Sequence, residues 1–224
     1  MAVDIEANTR EVQRRIDRAC ERSHRSSDEI TLVAVTKGFE AQAIRAAFDS
    51  GIRDFGENRV QEAEGKIAQL IDLRPAVTWH MVGHLQSNKA KIAVELFDII
   101  HSVDSVRLAE ILNRRVEKPL PVLLEVNVSG EATKGGFSVG ETEAAVKEIR
   151  QLPNLKVLGL MTVAPFVADT EEVRPVFRKL RELRDSLGLK HLSMGMTDDF
   201  EVAVEEGATM LRIGRAIFGE RRQQ

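Results

Sequence analysis

The chain has 224 residues, with 32 Lys or Arg against 35 Asp or Glu and a formal net charge of −3. That length suits one α/β barrel with a sizeable core, and balanced charge without a polybasic tail argues against a dedicated nucleic-acid or membrane-surface protein. A lone Cys20 rules out an internal disulfide, the start MAVDIEANTR is too charged for a secretory signal, and no apolar run nears the roughly 20 residues that span a bilayer, so a soluble, cytoplasmic protein is expected.

Ile5, Val12, Ile16 and Ala19 recur at helical spacing among charged residues, which predicts an amphipathic helix over residues 3–22, inside an N-terminal helical segment 1–24. The run ITLVAVTKG, Ile30 to Gly38, then reads as a buried parallel strand that carries Lys37 to its carboxyl end, on the face of Val33 and Val35. An ammonium turned into a dry interior loses pKa and becomes a nucleophile toward aldehydes. The competing reading is a lysine that caps the strand and reaches water.

A helix over Ala41 to Ser50 stops at Gly51, and a short strand enters DFGENR. A further helix runs from Arg59 through Val60, Ala63, Ile67, Leu70 and Ile71 to Pro75. Asn58 is read as its N-cap, with a polar contact at a barrel mouth as the alternative. VTWHMVG is the third strand, followed by a helix to Leu96 that Ser87 could cap. Ile99 to Val103, PVLLEVNVSGE, VLGLMTVAP, HLSMGM and MLRIGRAIFG supply five more strands. The intervening helices are opened by Ser105, begun near Gly140, capped at Asp169 and Glu172 around Pro175, and started at Asp198 or Asp199.

Eight apolar strands alternating with helices predict a single (β/α)8 TIM-type barrel over residues 30–219, with the extra N-terminal helix, as one domain covering 1–224. An open doubly wound sheet is less consistent, because TKGFEAQ lacks the dinucleotide glycine spacing and GEATKGG is not a phosphate loop. In such a barrel the loops after strands seven and eight commonly hold phosphate. Here they carry Ser193-Met194-Gly195 and Gly214-Arg215, whose glycines either admit an anion to the backbone or merely serve tight turns.

Arg212 shares the phase of Gly214 inside MLRIG, so its guanidinium is expected to point inward and to require an acceptor. In the fifth strand Val122, Leu124, Val126 and Val128 suit the helix side, which leaves Glu125 and Asn127 inward. His80 reads as a hydrogen-bonded core histidine, and neither it nor His84 has the companions a metal site needs.

The blocks VAVTKG, FGENRVQE, WHMVGHLQSNK, HSVD, NVSGEATKGGF, GLMTV and LSMGMTDDFEVAVEEGATMLRIGRAIFG, in this order from Ile30 to Gly219, resemble the pyridoxal phosphate homeostasis protein family. The resemblance implies a barrel like the amino-terminal domain of alanine racemase, with pyridoxal 5′-phosphate bound as an aldimine on Lys37. It implies phosphate contacts from the Ser193 to Gly195 loop and the Gly214 to Arg215 turn, and Arg212 near the pyridine nitrogen. The candidate cofactor-binding set is Lys37, Asn58, His80, Met161, Ser193, Met194, Gly195, Met196, Arg212, Gly214 and Arg215. Two departures are Arg59, where the family often has tyrosine, and Thr197, where it has serine.

A cationic arginine beside the pyridine nitrogen makes the ring a poor electron sink. Racemases of this type also use a tyrosine from an additional domain as a second base, and this sequence contains none. The expectation is therefore a monomeric protein that holds, buffers or delivers the cofactor, with apo-enzymes as recipients and no turnover of its own. The alternatives are a racemase or decarboxylase recruiting His80, His84 or Lys134, and a Schiff-base aldolase acting on a sugar phosphate. For Lys134, in a Gly-rich loop, a solvated surface position is the simpler reading.

Overall fold

The computed structural model describes residues 3–131 and 133–220. Helix α1 (Ile5–Arg22) buries Val12, Ile16, Ala19 and Cys20, and the Asp4 carboxylate caps it by accepting from the Ala7 N–H at 2.9 Å. Residues 1–2 of the expected helical segment lie outside the described residues, and His24 already has a positive φ of 55° beyond the helix end.

The strands follow as β1 (Thr31–Val35), β2 (Asp54–Glu57), β3 (Thr78–Met81), β4 (Ile99–Val103), β5 (Leu120–Asn127), β6 (Phe137–Ser138), β7 (Leu155–Met161), β8 (His191–Ser193) and β9 (Met210–Ile213). Apart from the two-residue β6, which pairs only with the end of β5, they run in the order β4-β3-β2-β1-β9-β8-β7-β5, and β5 pairs back onto β4. Every pairing is parallel. The result is the expected closed eight-stranded barrel.

Around it lie α2 (Ala41–Asp49), α3 (Val60–Gln69), α4 (Ala90–Leu96), α5 (Val106–Asn113), α6 (Val139–Ile149), α7 (Arg174–Ser186), α8 (Phe200–Glu205) and α9 (Arg215–Phe218). Strand parity divides the apolar residues into two groups. Ala34, Val122, Leu124, Val126, Leu160, Leu192, Leu211 and Ile213 join the large core between strands and helices. Leu123, Met161 and Met210 form a small separate cluster inside the ring. Helix α1 packs against α2, α8 and α9, where the first strand, β1, closes on the last, β9, with Asn8 Nδ2 donating to the Ile217 carbonyl at 3.0 Å.

Several boundaries differ from expectation for local reasons. Helix α3 ends at Gln69, and Pro75 falls inside a separate 3-10 segment, Ile71–Ala76. Ser87 opens a 3-10 turn ahead of α4 and makes no cap bond. Asp169 caps the 3-10 turn Thr170–Val173, and Pro175 then sits in the first turn of α7, where its missing N–H costs nothing. No described helix is long and apolar enough to cross a membrane.

Candidate functional site

The site lies at the carboxyl ends of the strands. Strand β1 stops at Val35, so Lys37 sits in the turn beyond it and not on the strand itself. The Thr36 N–H still continues the ladder to the Gly56 carbonyl at 2.9 Å. The Thr36 carbonyl, however, accepts from the Phe39 N–H at 3.0 Å and from Lys66 Nζ at 2.6 Å, which bends the chain out of the sheet. Lys37 is half-buried and lines a cavity of about 400 Å³ together with Asn58, Val82, Val163, Met196, Arg212, Gly214 and Arg215. That volume is in the usual range for a small-molecule site.

Arg212 points inward from β9 and is only 5% exposed. Its Nη1 donates to Ser193 Oγ at 2.6 Å and its Nη2 to the Thr162 carbonyl at 2.8 Å, so the acceptors it needs are neutral ones. Burial pushes the guanidinium down to about 10, against the opposing pull of Asp199 and Glu125, and it stays cationic at neutral pH. Arg212 makes no direct ion pair with Glu125 among the described contacts. Glu125 is half-buried, and burial and then Asp104 raise its carboxyl above the ordinary value.

Beneath Arg212 runs a column of buried polar side chains. Ser193 Oγ lies 2.8 Å from His101 Nδ1, His101 Nε2 lies 2.9 Å from His80 Nδ1, and His80 Nε2 lies 3.0 Å from Asp54 Oδ1. Asp54 can only accept when ionised, so His80 donates to it, and the remaining links close in either sense: Ser193 donates to His101 and His101 to His80, or His80 donates to His101 and His101 to Ser193. His101 carries a single ring proton in both. Burial, His80 and Arg212 hold His101 well below its ordinary value.

Six of the eleven candidate residues thus share the cavity lining: Lys37, Asn58, Met196, Arg212, Gly214 and Arg215. The other five are placed elsewhere, each for a reason of parity or packing. The Ser193 hydroxyl is fully buried and bonded to Arg212 and His101. Met194, one residue on, has the opposite parity and joins the core under the helices. Met161 faces inward but packs with Leu123 and Met210. His80 is a core residue of the column, as its strand position suggested.

Gly195 serves packing: at φ +94° a Cβ there would lie 2.6 Å from the Ala203 Cβ, and its carbonyl accepts from the Arg212 N–H at 3.0 Å. Gly214 does line the cavity, and a Cβ on it would crowd the Val35 carbonyl at 3.0 Å. Asn58 is not a helix cap. Arg59 holds the N-cap position of α3, without a side-chain bond, and Asn58 faces the cavity instead.

The rim is tied by polar contacts. Arg215 Nη2 donates to Asp198 Oδ1 at 2.5 Å, and Thr197 Oγ1 accepts from the Ala216 N–H at 3.4 Å, so the residue that departs from the family pattern links the loops after β8 and β9. Asp199 Oδ1 accepts from the Met196 N–H at 2.6 Å, and burial raises its carboxyl. His84 pairs with Asp104 at 3.1 Å. Lys134 is half-buried rather than solvated: its Nζ lies 2.9 Å from Glu131 Oε2 and donates to the Val163 carbonyl at 3.3 Å. Asn127, expected inward, secures that loop through the carbonyls of Glu131 and Lys134. No described group of His, Cys, Asp and Glu is arranged to hold a metal ion.

The family model of the alanine racemase N-terminal domain matches residues 5–222. A pyridoxal phosphate homeostasis protein of Aquifex aeolicus is 46% identical over 220 residues, covering 94% of this chain and 96% of that one. A protein of the same description from Pseudomonas aeruginosa is 44% identical over 222 residues, covering 97% and 96%. PipY of Synechococcus elongatus PCC7942, solved with PLP bound, superposes with a TM-score of 0.80 at 39% identity, covering 92% of this chain and all of that one, 100%. Alanine racemase of Corynebacterium glutamicum gives a TM-score of 0.68 at 18% identity, covering 98% of this chain and 61% of its own, a likeness of fold.

Proposed function

The chain belongs to the pyridoxal phosphate homeostasis protein family, on the fold of the alanine racemase N-terminal domain, and from that premise we propose that it carries pyridoxal 5′-phosphate as cargo, attached as a Schiff base to Lys37 Nζ. The observation that carries this reading is the convergence of one amine, one buried guanidinium and the Gly214–Arg215 turn on a single cavity of about 400 Å³. The donor set fits the ligand. Lys37 offers an amine to an aldehyde, Arg212 a fixed cation to a ring nitrogen, and Arg215 with the Thr197 and Gly214 turn a polar rim to a phosphate. Asn58 and Met196 complete the walls.

Bound there, the ligand supplies an electrophilic carbon and an electron-withdrawing ring. The chain's own residues restrain that chemistry. Arg212, held by Ser193 and Thr162, keeps a positive charge where a ring proton would otherwise go, and so disfavours protonation of that nitrogen. The sequence also offers no tyrosine to act as a second acid or base, and His84 and Lys134 each face a carboxylate, Asp104 and Glu131. We infer storage and delivery to apo-enzymes in the cytoplasm by a monomer, without turnover at an amino-acid α-carbon.

The visible spectrum of the purified protein tests the reading. A yellow band that disappears in Lys37→Ala supports it, and no band after addition of pyridoxal 5′-phosphate refutes it. Exchange of an amino acid's α-proton by the loaded protein would refute the absence of turnover. Transfer of the ligand to an apo-enzyme tests delivery.

A further inference from the structure

Behind the Lys37 turn, outside the barrel wall and under α3, three charged side chains meet. Lys66 is 8% exposed, and its ammonium donates to the Thr36 carbonyl at 2.6 Å, to Glu57 Oε1 at 2.7 Å and to Glu62 Oε1 at 2.6 Å. An ammonium has three donors, and all three are used. The same Glu62 oxygen accepts from the Gly38 N–H at 2.5 Å, and the Thr36 hydroxyl donates to Glu57 Oε1.

The arrangement bears on Lys37 directly. The Thr36 carbonyl belongs to the peptide before Lys37, and the Gly38 N–H to the peptide after it. One cation therefore restrains both peptide planes that flank the Lys37 Cα, the first directly and the second through Glu62. Placing an ammonium in a nearly dry position is costly unless its partners are well placed, and this one is spent on the turn that bears the reactive amine. Glu62 and Lys66 stand four apart on α3, so the restraint depends on α3 being docked against β2.

We propose that Lys66, acting with Glu57 and Glu62, is a positioning residue for Lys37, holding its backbone so that Nζ enters the cavity in the geometry that captures the aldehyde. The proposal rests on the reading of Lys37 as the attachment point.

Its test compares wild type with Lys66→Met, Glu62→Gln and Glu62→Ala. Borohydride trapping of pyridoxal 5′-phosphate, mapped by mass spectrometry, gives the rate and pH midpoint of linkage at Lys37. Hydrogen exchange at the Gly38 amide is read on ligand-free protein. In Lys66→Met the trapping rate at Lys37 falls about ten-fold, the pH midpoint moves, and Gly38 exchanges faster. Glu62→Gln keeps an acceptor for the Gly38 N–H and stays within about two-fold of wild type, whereas Glu62→Ala slows trapping by about three-fold or more.

A merely structural role would lower the melting temperature and leave the midpoint and the trapped residue unchanged in folded protein. That result overturns the proposal. If Lys66→Met does not fold, Glu62→Ala, altered at a more exposed position, decides: unchanged trapping and exchange overturn the proposal. Wild type that traps no ligand at Lys37 refutes the underlying reading instead, a distinct outcome.

Discussion

Replacing His101 examines the interior column that supports Arg212. His101, His80 and Ser193 are each fully buried, and His101 bonds the other two at 2.9 and 2.8 Å. His101→Phe keeps the approximate volume but leaves His80 Nδ1 and the Ser193 hydroxyl each without the His101 nitrogen that they bond. At about 1–3 kcal/mol for each orphaned group, the variant should lose about 2–6 kcal/mol, which for a chain of this length lowers the melting temperature by roughly 5–20 °C. His101→Gln retains one donor and one acceptor and should lose about 1.5 kcal/mol or less.

The pH dependence of the same variants has a definite sign. The folded protein holds His101 well below the ordinary 6.5, so below pH 6.5 the unfolded chain binds a proton that the folded state refuses. The histidine's contribution is fully present above that value and is lost as pH falls, at up to about 1.4 kcal/mol per pH unit. Both variants lack this loss, so their deficit against wild type should narrow from pH 7.5 to pH 5, values chosen to bracket roughly the ordinary histidine range. Urea unfolding followed by circular dichroism measures it. A deficit for His101→Phe under about 0.5 kcal/mol at the upper pH, or one that does not narrow on acidification, refutes a neutral, hydrogen-bonded His101 at the centre of the column.

Arg212→Gln should still take up pyridoxal 5′-phosphate, but with a spectrum that titrates at a different pH, because the cation opposing ring protonation is gone; identical titration curves would count against Arg212 at that nitrogen. Gly195→Ala combines a left-handed backbone, about 1–2 kcal/mol, with overpacking against Ala203, about 1–3 kcal/mol, and a thermal melt should show a loss of about 2–5 kcal/mol. A loss below about 1 kcal/mol would mean that the loop relaxes without strain.

The barrel was legible because each strand is a short apolar run, and strand parity placed Arg212 inside from the phase of MLRIG alone. Parity also separates residues that were grouped together. Ser193, Met194 and Gly195 were treated as one phosphate loop, although adjacent residues face opposite ways. The first is bound in the interior, the second packs under helices, and the third is a packing glycine.

His101 escaped notice because the fourth strand was read for its apolar ends. Its spacing of two from Ile99 already put it on that residue's side of the strand, facing the inner cluster, and the register of β3 with β4 that brings it to His80 is a tertiary fact. Lys66 was hidden for another reason. Charged residues are assigned to water by default, yet at three beyond Ala63 and one before Ile67 it falls on the buried face of α3. No local pattern announces the carbonyl of Thr36 waiting there.

The placement of α1 where β1 closes on β9 has a consequence for biogenesis. Two of its partners, α8 and α9, are synthesised long after it, and the bond from Asn8 to Ile217 spans 209 positions of sequence. During translation this helix's apolar stripe, with Val12 and Ile16, therefore waits without the surfaces that finally cover it. Such long loops make ring closure slow compared with local helix formation. The nascent chain is then most exposed to self-association just before β9 docks beside β1, and a holdase that shields amphipathic segments would act in that interval.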